Sequence, residues 1–293
     1  MSKPIVSISV ITYNSSKYVL DTLESVKAQI YSPLELVVSD DCSTDDTVAI
    51  CRDWIEKNKE RFVSAKVVVA PKNRGISANY NQGMDNCTGD YIKEIAGDDM
   101  LLPNCVEDYV NFVTEHPEAY FCFGRVRCYS ENSKRIEMWA DEFKYDIYEW
   151  DAETQWKTLT VRGNCVSSAT FFYNRARIVE LGIRNDERIP FMEDWAKWIN
   201  ITAKGERLWL VDKETAIYRM GDNALSTQTT PSPRFQLAMA QLYLLYLFVP
   251  QWKYENKRKA IRRYAYAKAM VTRKWYWRAY VKVHDKIAEM ISK

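Results

Sequence analysis

The sequence predicts an α/β fold, a mostly parallel sheet flanked by helices, with a helical extension at the C-terminus. Three observations carry this expectation. The first hundred residues alternate short apolar, β-branched runs with helix-period segments, the order expected of a parallel sheet wound with helices. Each of these apolar runs is followed at once by polar residues, where open α/β sheets place their ligands. The C-terminal segment, 228–293, instead shows apolar and aromatic residues at helical spacing among Lys and Arg.

In order along the chain, the strands expected are Ile5–Thr12 (IVSISVIT), Leu34–Ser39 (LELVVS), Val67–Ala70 (VVVA) and Tyr91–Ile95 (YIKEI). The helices expected between them are Lys17–Gln29, Asp46–Asn58 and Ser77–Asn86. The second opens on Ser43-Thr44-Asp45-Asp46, in which Asp45 and Asp46 suit a helix cap.

Composition narrows the class. The 293 residues are 47% hydrophobic and 27% charged, with nine Gly and nine Pro, which excludes disordered, fibrous and multipass membrane chains. The net charge of +2 hides an asymmetry, because residues 251–293 hold thirteen Lys+Arg against three Asp+Glu and the remainder is therefore acidic. Seven cysteines, without a C-x-x-C pair, point to a reducing compartment. The N-terminus lacks the pattern of a signal peptide, and the longest apolar stretch, Leu237–Val249, is too short to span a bilayer. A cytoplasmic protein, touching the inner face of the plasma membrane at most as a peripheral partner, is the expectation. Only His116 and His284 are present, so acid or base chemistry falls to carboxylates.

The strand ends read Thr12-Tyr13-Asn14, Asp40-Asp41-Cys42-Ser43, Pro71-Lys72-Asn73-Arg74-Gly75 and Gly97-Asp98-Asp99. Adjacent carboxylates repel unless a cation or hydrogen-bond donors compensate, so two Asp pairs on one rim suggest a metal or a donor-rich ligand. Taken singly, each pair equally suits a turn or cap.

Together the segments VSISVITYNSSKYVLDTLESVKAQ, LELVVSDDCSTDDT, NRGISANYNQG, TGDYIKEIAGDDMLLPN, PFMEDWAKWINITAKG and YRMGDNALS resemble family 2 glycosyltransferases of the GT-A fold, Rossmann-like nucleotide-diphospho-sugar transferases, of the non-processive bacterial type. The resemblance runs from residue 5 to about 227. It implies a GT-A domain over 1–227, with 1–100 binding the nucleotide sugar and 101–227 the acceptor, ahead of the basic extension 228–293. The implied reaction is transfer of one sugar from a UDP- or dTDP-sugar to a hydroxyl of a glycan or lipid-linked glycan, with inversion. The setting it implies is bacterial surface polysaccharide assembly, O-antigen or capsule.

By this resemblance, a divalent ion, Mn2+ or Mg2+, neutralises the leaving diphosphate and is held by Asp98 with Asp99, beside Gly97. The chain departs from the family's Asp-x-Asp pattern, since Ala96 stands at the first Asp. Asp41 is implied to accept the N3 proton of uracil or thymine, with Asp40 beside it and with Thr12, Tyr13 and Asn14 lining the nucleoside pocket. Arg74 and Asn79 are implied to face the donor, although Arg74 alone also reads as a solvated charge.

In the second half the resemblance assigns the general base to Asp194, with Glu193 and Trp195 on the acceptor side. Both acids also read as first-turn partners of a helix dipole. Arg219 is implied to clamp the donor diphosphate through its guanidinium fork, ahead of Gly221, Asp222, Asn223 and Ser226. A lone Arg on a strand equally suits an ion pair. The aromatics Trp139, Phe143, Tyr145, Tyr148, Trp150 and Trp156 suit an acceptor wall or ordinary packing.

The extension, with Tyr264, Tyr266, Trp275, Trp277 and Tyr280 among basic residues, suits a helix on an anionic leaflet, or a hairpin packed on the catalytic domain or on a dimer partner. A Gln-x-x-Arg-Trp motif is missing, which favours addition of a single sugar. Other classes fit less well. A nucleotidyltransferase calls for a basic Gly-rich loop after the first strand, and a nucleic-acid binder for a reader motif that is not found, so no nucleic acid is expected as partner. A silent GT-A domain acting as a nucleotide-binding or scaffold subunit is made plausible by Ala96.

Overall fold

The computed structural model of the chain describes residues 3–130, 135–137, 145–220 and 232–291. The β-branched runs become strands β1 (Val6–Thr12), β2 (Leu34–Asp40), β3 (Ser64–Val69) and β4 (Tyr91–Ala96), within about three residues of the expected bounds. Every residue of β1 and β2 is buried, as expected of strands covered on both faces. The intervening helices are α1 (Val19–Lys27), α2 (Thr47–Asn58) and α3 (Ile76–Asn86). Asp45, rather than Asp46, supplies the cap of α2, accepting from the Thr47 amide at 3.0 Å and from the Ser16 amide at 3.1 Å. Burial opposes the charge of this carboxyl, but the bonds from Thr47 and Ser16 outweigh it and bring it down to about 2.

Further along lie β5 (Met100–Leu101), α4 (Cys105–Glu115), β6 (Phe121–Ser130), β7 (Arg135–Glu137), α5 (Ala152–Val161), β8 (Phe172–Asn174), α6 (Arg175–Glu180), α7 (Glu193–Ala203) and β9 (Leu208–Met220). Among the described residues the strands form one sheet in the order β3-β2-β1-β4-β8-β6-β9-β5, with β7 beside β6. β1 to β4, β6 and β9 share one direction, whereas β5, β7 and β8 oppose them. The sheet is therefore mixed but mostly parallel. Its order reverses at β1, whose neighbours are β2 and β4, and such a switch point opens a crevice at the strands' carboxyl ends.

A core fills each face. One joins Ile8, Val10, Leu36 and Val38 to Leu23, Trp54, Tyr109 and Phe172. The other centres on Phe123, Phe171, Tyr173 and Trp198, whose indole meets the rings of Phe171 at 4.5 Å and Phe123 at 4.9 Å edge-on. Tyr148 joins this core, and Tyr145, Trp150 and Trp156 pack against it, so of the two expectations for these rings the structure shows the packing one. Trp139, Phe143, Gly221, Asp222, Asn223 and Ser226 lie outside the described residues.

The extension forms α8 (Pro233–Leu242), a π-helical turn, α9 (Phe248–Tyr254), α10 (Lys257–Thr272) and α11 (Trp275–Ile291). Pro233 at the first turn and Ser232, accepting from the Phe235 amide, start α8. The small side chains of Ala260, Ala265, Ala267 and Ala269 let α10 approach its neighbours, and the Tyr243 hydroxyl donates to the Ala260 carbonyl at 2.8 Å. Gln251 donates to the Thr160 carbonyl at 3.3 Å, joining α9 to α5. The extension is thus a helical layer on the catalytic domain, and α11 folds back along α10. No helix among the described residues is long and apolar enough to cross a membrane. Five of the seven cysteines are buried.

Candidate active site

At the switch point the ends of β1 and β4 approach so closely that Gly97 has no room for a side chain. A Cβ there would lie 2.7 Å from the Thr12 methyl, while the Gly97 amide donates to the Ile11 carbonyl at 2.8 Å. Thr12 itself is buried and donates to Asp40 at 2.8 Å. Asp40 accepts in addition from the Ser43 amide and hydroxyl, at 2.8 and 2.6 Å. Thr12 and Asp40 therefore build the floor of the expected nucleoside pocket rather than line it, because their polar atoms are already paired.

Asp41 is also inward, 2% exposed, and holds the turn before α3. Its Oδ1 accepts from the Arg74 amide at 2.8 Å and its Oδ2 from the Gly75 amide at 2.7 Å. Each oxygen keeps a second lone pair beyond these bonds. Gly75 stands at φ 93°, a conformation that suits glycine at this cap. Two other rim residues, Asn14 (φ 49°) and Cys42 (φ 62°), adopt the left-handed region without being glycine, and such strain concentrates at functional sites. Asn14 ties the loops together, accepting from the Thr44 amide at 2.9 Å and donating its own amide to Ser43 at 2.8 Å. Tyr13 is half exposed and presents its ring to the rim.

Asn79 corrects the expectation that it faces the donor. It is buried, its amide donates to the Thr12 carbonyl at 2.9 Å, and its Oδ1 accepts from Ser39 at 2.7 Å, so it fastens α3 to β1 and β2. Among the described residues the Arg74 side chain pairs with no carboxylate and reaches Gln82 at 3.4 Å.

Asp98 and Asp99 diverge. Asp98 is exposed at the rim, in a concavity whose walls raise its pKa while Arg219 opposes that shift. Asp99 is buried, and its Oδ1 accepts from the Arg219 amide at 2.9 Å. Burial first and the Asp98 charge second push it well above the ordinary range. Asp99 is thus an anchor for β9 and not, as expected, a rim ligand of a metal. Arg219 is 8% exposed, donates to the Asp98 carbonyl and to Asp21 (both 2.8 Å), and stacks over Tyr18 at 4.5 Å. It lies beside the rim carboxylate, already engaged by partners that the motifs did not single out.

On the opposite wall, Glu193 and Asp194 open α7. Asp194 Oδ1 accepts from the Trp195 amide at 2.6 Å and Oδ2 from the Asn164 side chain at 2.9 Å. Burial raises its pKa, and these two bonds pull the other way. Glu193 is buried, and its Oε2 lacks a partner among the described residues. Burial and the neighbouring Asp194 push it up to about 8. The two halves meet at Tyr80 of α3. Burial chiefly, and then the charges of Glu193, Glu94, Asp99 and Asp194, raise its hydroxyl well above the usual range. Below, Lys197 pairs with Glu94 at 2.9 Å, both nearly solvent-free, and Glu94 also accepts from Tyr173 at 2.8 Å.

Asp41 and Asp98 thus lie on the sheet side of the switch point and Asp194 at the start of α7. The model of the family described as glycosyl transferase family 2 matches residues 7–176, more than half of the chain. The chain belongs to this family. Among curated relatives, the putative teichuronic acid biosynthesis glycosyltransferase TuaG of Bacillus subtilis is 26% identical over 77% of this chain and 82% of its own length. Chondroitin synthase of Escherichia coli is 38% identical over 36% of this chain, which is 14% of that protein. The crystal structure of S. aureus TarS 1-349 in complex with UDP-GlcNAc shares the fold, with a TM-score of 0.63 at 18% identity, over 91% of this chain and 81% of that one.

As a family 2 glycosyltransferase, the chain is an enzyme of the transferase class with the GT-A fold and a C-terminal helical layer. Four residues around its site were not singled out from the sequence. Asp21 and Tyr18 are ordinary helix and loop residues until Arg219 reaches them, and Asn164 lies in a segment without resemblance. Lys197 could have been found, since it lies one helical turn after Glu193 and on the same face.

Proposed function

We propose that this glycosyltransferase moves one sugar, with inversion, from a UDP- or dTDP-sugar to a hydroxyl of a lipid-linked or free glycan in bacterial surface polysaccharide assembly. The observation that carries the reading is the convergence around Tyr80 of two carboxylate groups, one from the end of β4 and one from the start of α7. TuaG, named for teichuronic acid biosynthesis, and TarS, solved with UDP-GlcNAc and with UDP, support the setting and the nucleotide.

Asp41 accepts the imide proton of the base, which cytosine lacks at N3, and the Tyr13 ring covers the nucleoside. Asp194 takes the proton of the acceptor hydroxyl as its oxygen attacks the anomeric carbon from the face opposite the diphosphate. Its two hydrogen bonds hold the carboxylate in one orientation, and the neutral Glu193 keeps a second negative charge away from it.

A divalent cation fits a site of this composition only in part. No group of three or more His, Cys, Asp or Glu converges among the described residues, but Mg2+ commonly takes one or two carboxylates together with substrate phosphates. Asp98 would hold Mn2+ or Mg2+ with the donor diphosphate. The ion would supply charge neutralisation of the leaving group.

The outer face of α11 exposes Trp275, Tyr276, Tyr280 and Met290 beside Lys274, Arg278 and Lys282. This face supports the peripheral reading at an anionic leaflet. Calorimetric titration with UDP, dTDP, GDP and CDP, each with and without Mn2+, tests the donor. Metal-dependent binding of UDP or dTDP is expected, and binding of no nucleotide would leave a silent domain.

A further inference from the structure

A cavity of about 780 Å³ opens between the catalytic domain and the helical layer, well within the range of ligand pockets. One end lies beside the first turn of α7, which carries the candidate base. Trp195, next in sequence to Asp194, lines the cavity, and its indole N–H is fixed to the Leu159 carbonyl at 2.8 Å. Arg162 and Gly163 line it too, and the next residue, Asn164, holds Asp194. From there the wall is apolar, formed by Phe235, Met239, Tyr243, Leu247 and Val281 of the extension.

Charge adds a second property. Four basic side chains, Arg162, Lys259, Arg262 and Arg263, line the cavity against one acid, Asp285. Arg262 pairs with Asp285 at 2.5 Å, and Arg263 with Gln251 and Glu255 at 2.8 and 3.2 Å. Arg162 and Lys259 are exposed and lack a side-chain partner among the described residues. A glycan alone would set its hydroxyls against an apolar wall without partners, which costs binding energy. An aliphatic chain with an anionic head matches both the wall and the two unpaired cations.

We propose that this cavity seats the acceptor's lipid. The aliphatic chain of a polyprenyl-type phosphate or diphosphate lies along the apolar wall, its phosphate faces Arg162 and Lys259, and the attached sugar reaches Asp194. The assignment rests on the reading of Asp194 as the base of a glycosyltransferase.

The test is calorimetric titration of the full chain with farnesyl diphosphate below its aggregation concentration. Saturating UDP is present to occupy any diphosphate site at the rim. Inorganic diphosphate, farnesol and phosphatidylglycerol vesicles are run in parallel. Farnesyl diphosphate is expected to bind at least ten-fold more tightly than inorganic diphosphate or farnesol. Arg162→Ala with Lys259→Ala, both surface changes, should weaken it about ten-fold, and Met239→Trp should weaken it by filling the cavity, each with UDP binding unchanged.

Equal affinity for farnesyl diphosphate and inorganic diphosphate, or no effect of the double variant, would overturn the proposal while UDP binding upheld the transferase reading. Vesicle binding without affinity for the soluble lipid would replace it with a surface contact. Farnesyl diphosphate binding by a chain that bound no nucleotide would overturn the acceptor role, because the reading beneath it would have failed.

Discussion

The side-chain amide of Asn164 donates to Asp194 Oδ2 at 2.9 Å, tying the loop after α5 to the first turn of α7. This bond stabilises the charged form of the carboxylate against the burial that raises its pKa. Asp194→Asn should abolish transfer, by about 10²-fold or more, while leaving donor binding intact. Asn164→Ala should move the acid limb of the rate profile to higher pH, since the base then loses its proton later. An unmoved limb would separate Asn164 from the base.

Glu193 makes stability depend on pH in a stated direction. With its folded pKa near 8, against an ordinary 4.5, the folded chain keeps a proton that the unfolded chain has lost between those values. The stability it contributes is full below 4.5 and falls as pH rises toward 8. Urea unfolding at pH 6 and 8.5 should show this loss, and Glu193→Gln should flatten it.

Asp98 is the accessible carboxylate of its pair. Asp98→Ala should remove the part of UDP affinity that depends on Mn2+ and leave the metal-free part unchanged. Titrations with and without EDTA read the difference, and an identical metal response in the variant would exclude Asp98 as the ligand.

At Gly97 the close approach of β1 and β4 leaves no space. Gly97→Ala should cost about 1–3 kcal/mol through overpacking and lower the thermal midpoint. Because the added methyl displaces Thr12, and with it Asp40, nucleotide affinity should fall in the same variant.

Lys197 and Glu94 form a buried pair beneath both carboxylate groups. Removing one partner strands the other, and Lys197→Met should cost about 3–5 kcal/mol in chemical denaturation. Adding Glu94→Gln should recover part of that loss. Equal instability of the single and double variants would show that the pair itself contributes nothing.

Much of the first half was legible because its signals are local. The β-branched runs of β1, β2 and β4 and the polar residues after them are set by side-chain chemistry over a few positions, so strand, helix and rim follow from sequence spacing. The motif residues Asp41, Asp98 and Asp194 were visible only through the resemblance to a known family. Which side a residue faces within the rim was not. Thr12, Asp40, Asn79 and Asp99 carry the same residue types as ligands do, yet each spends its polar atoms on a neighbouring strand or helix.

By itself, then, the sequence determined the alternating α/β order, the carboxylate-lined rim, and a basic, aromatic extension. Tertiary structure decided which carboxylates stay open and which become anchors, and it folded the extension into a wall of a cavity beside the first turn of α7. Local patterns register through neighbours a few residues apart. Pairings such as Arg219 with Asp21, 198 positions apart, and Asn164 with Asp194 exist only once the sheet brings distant segments together.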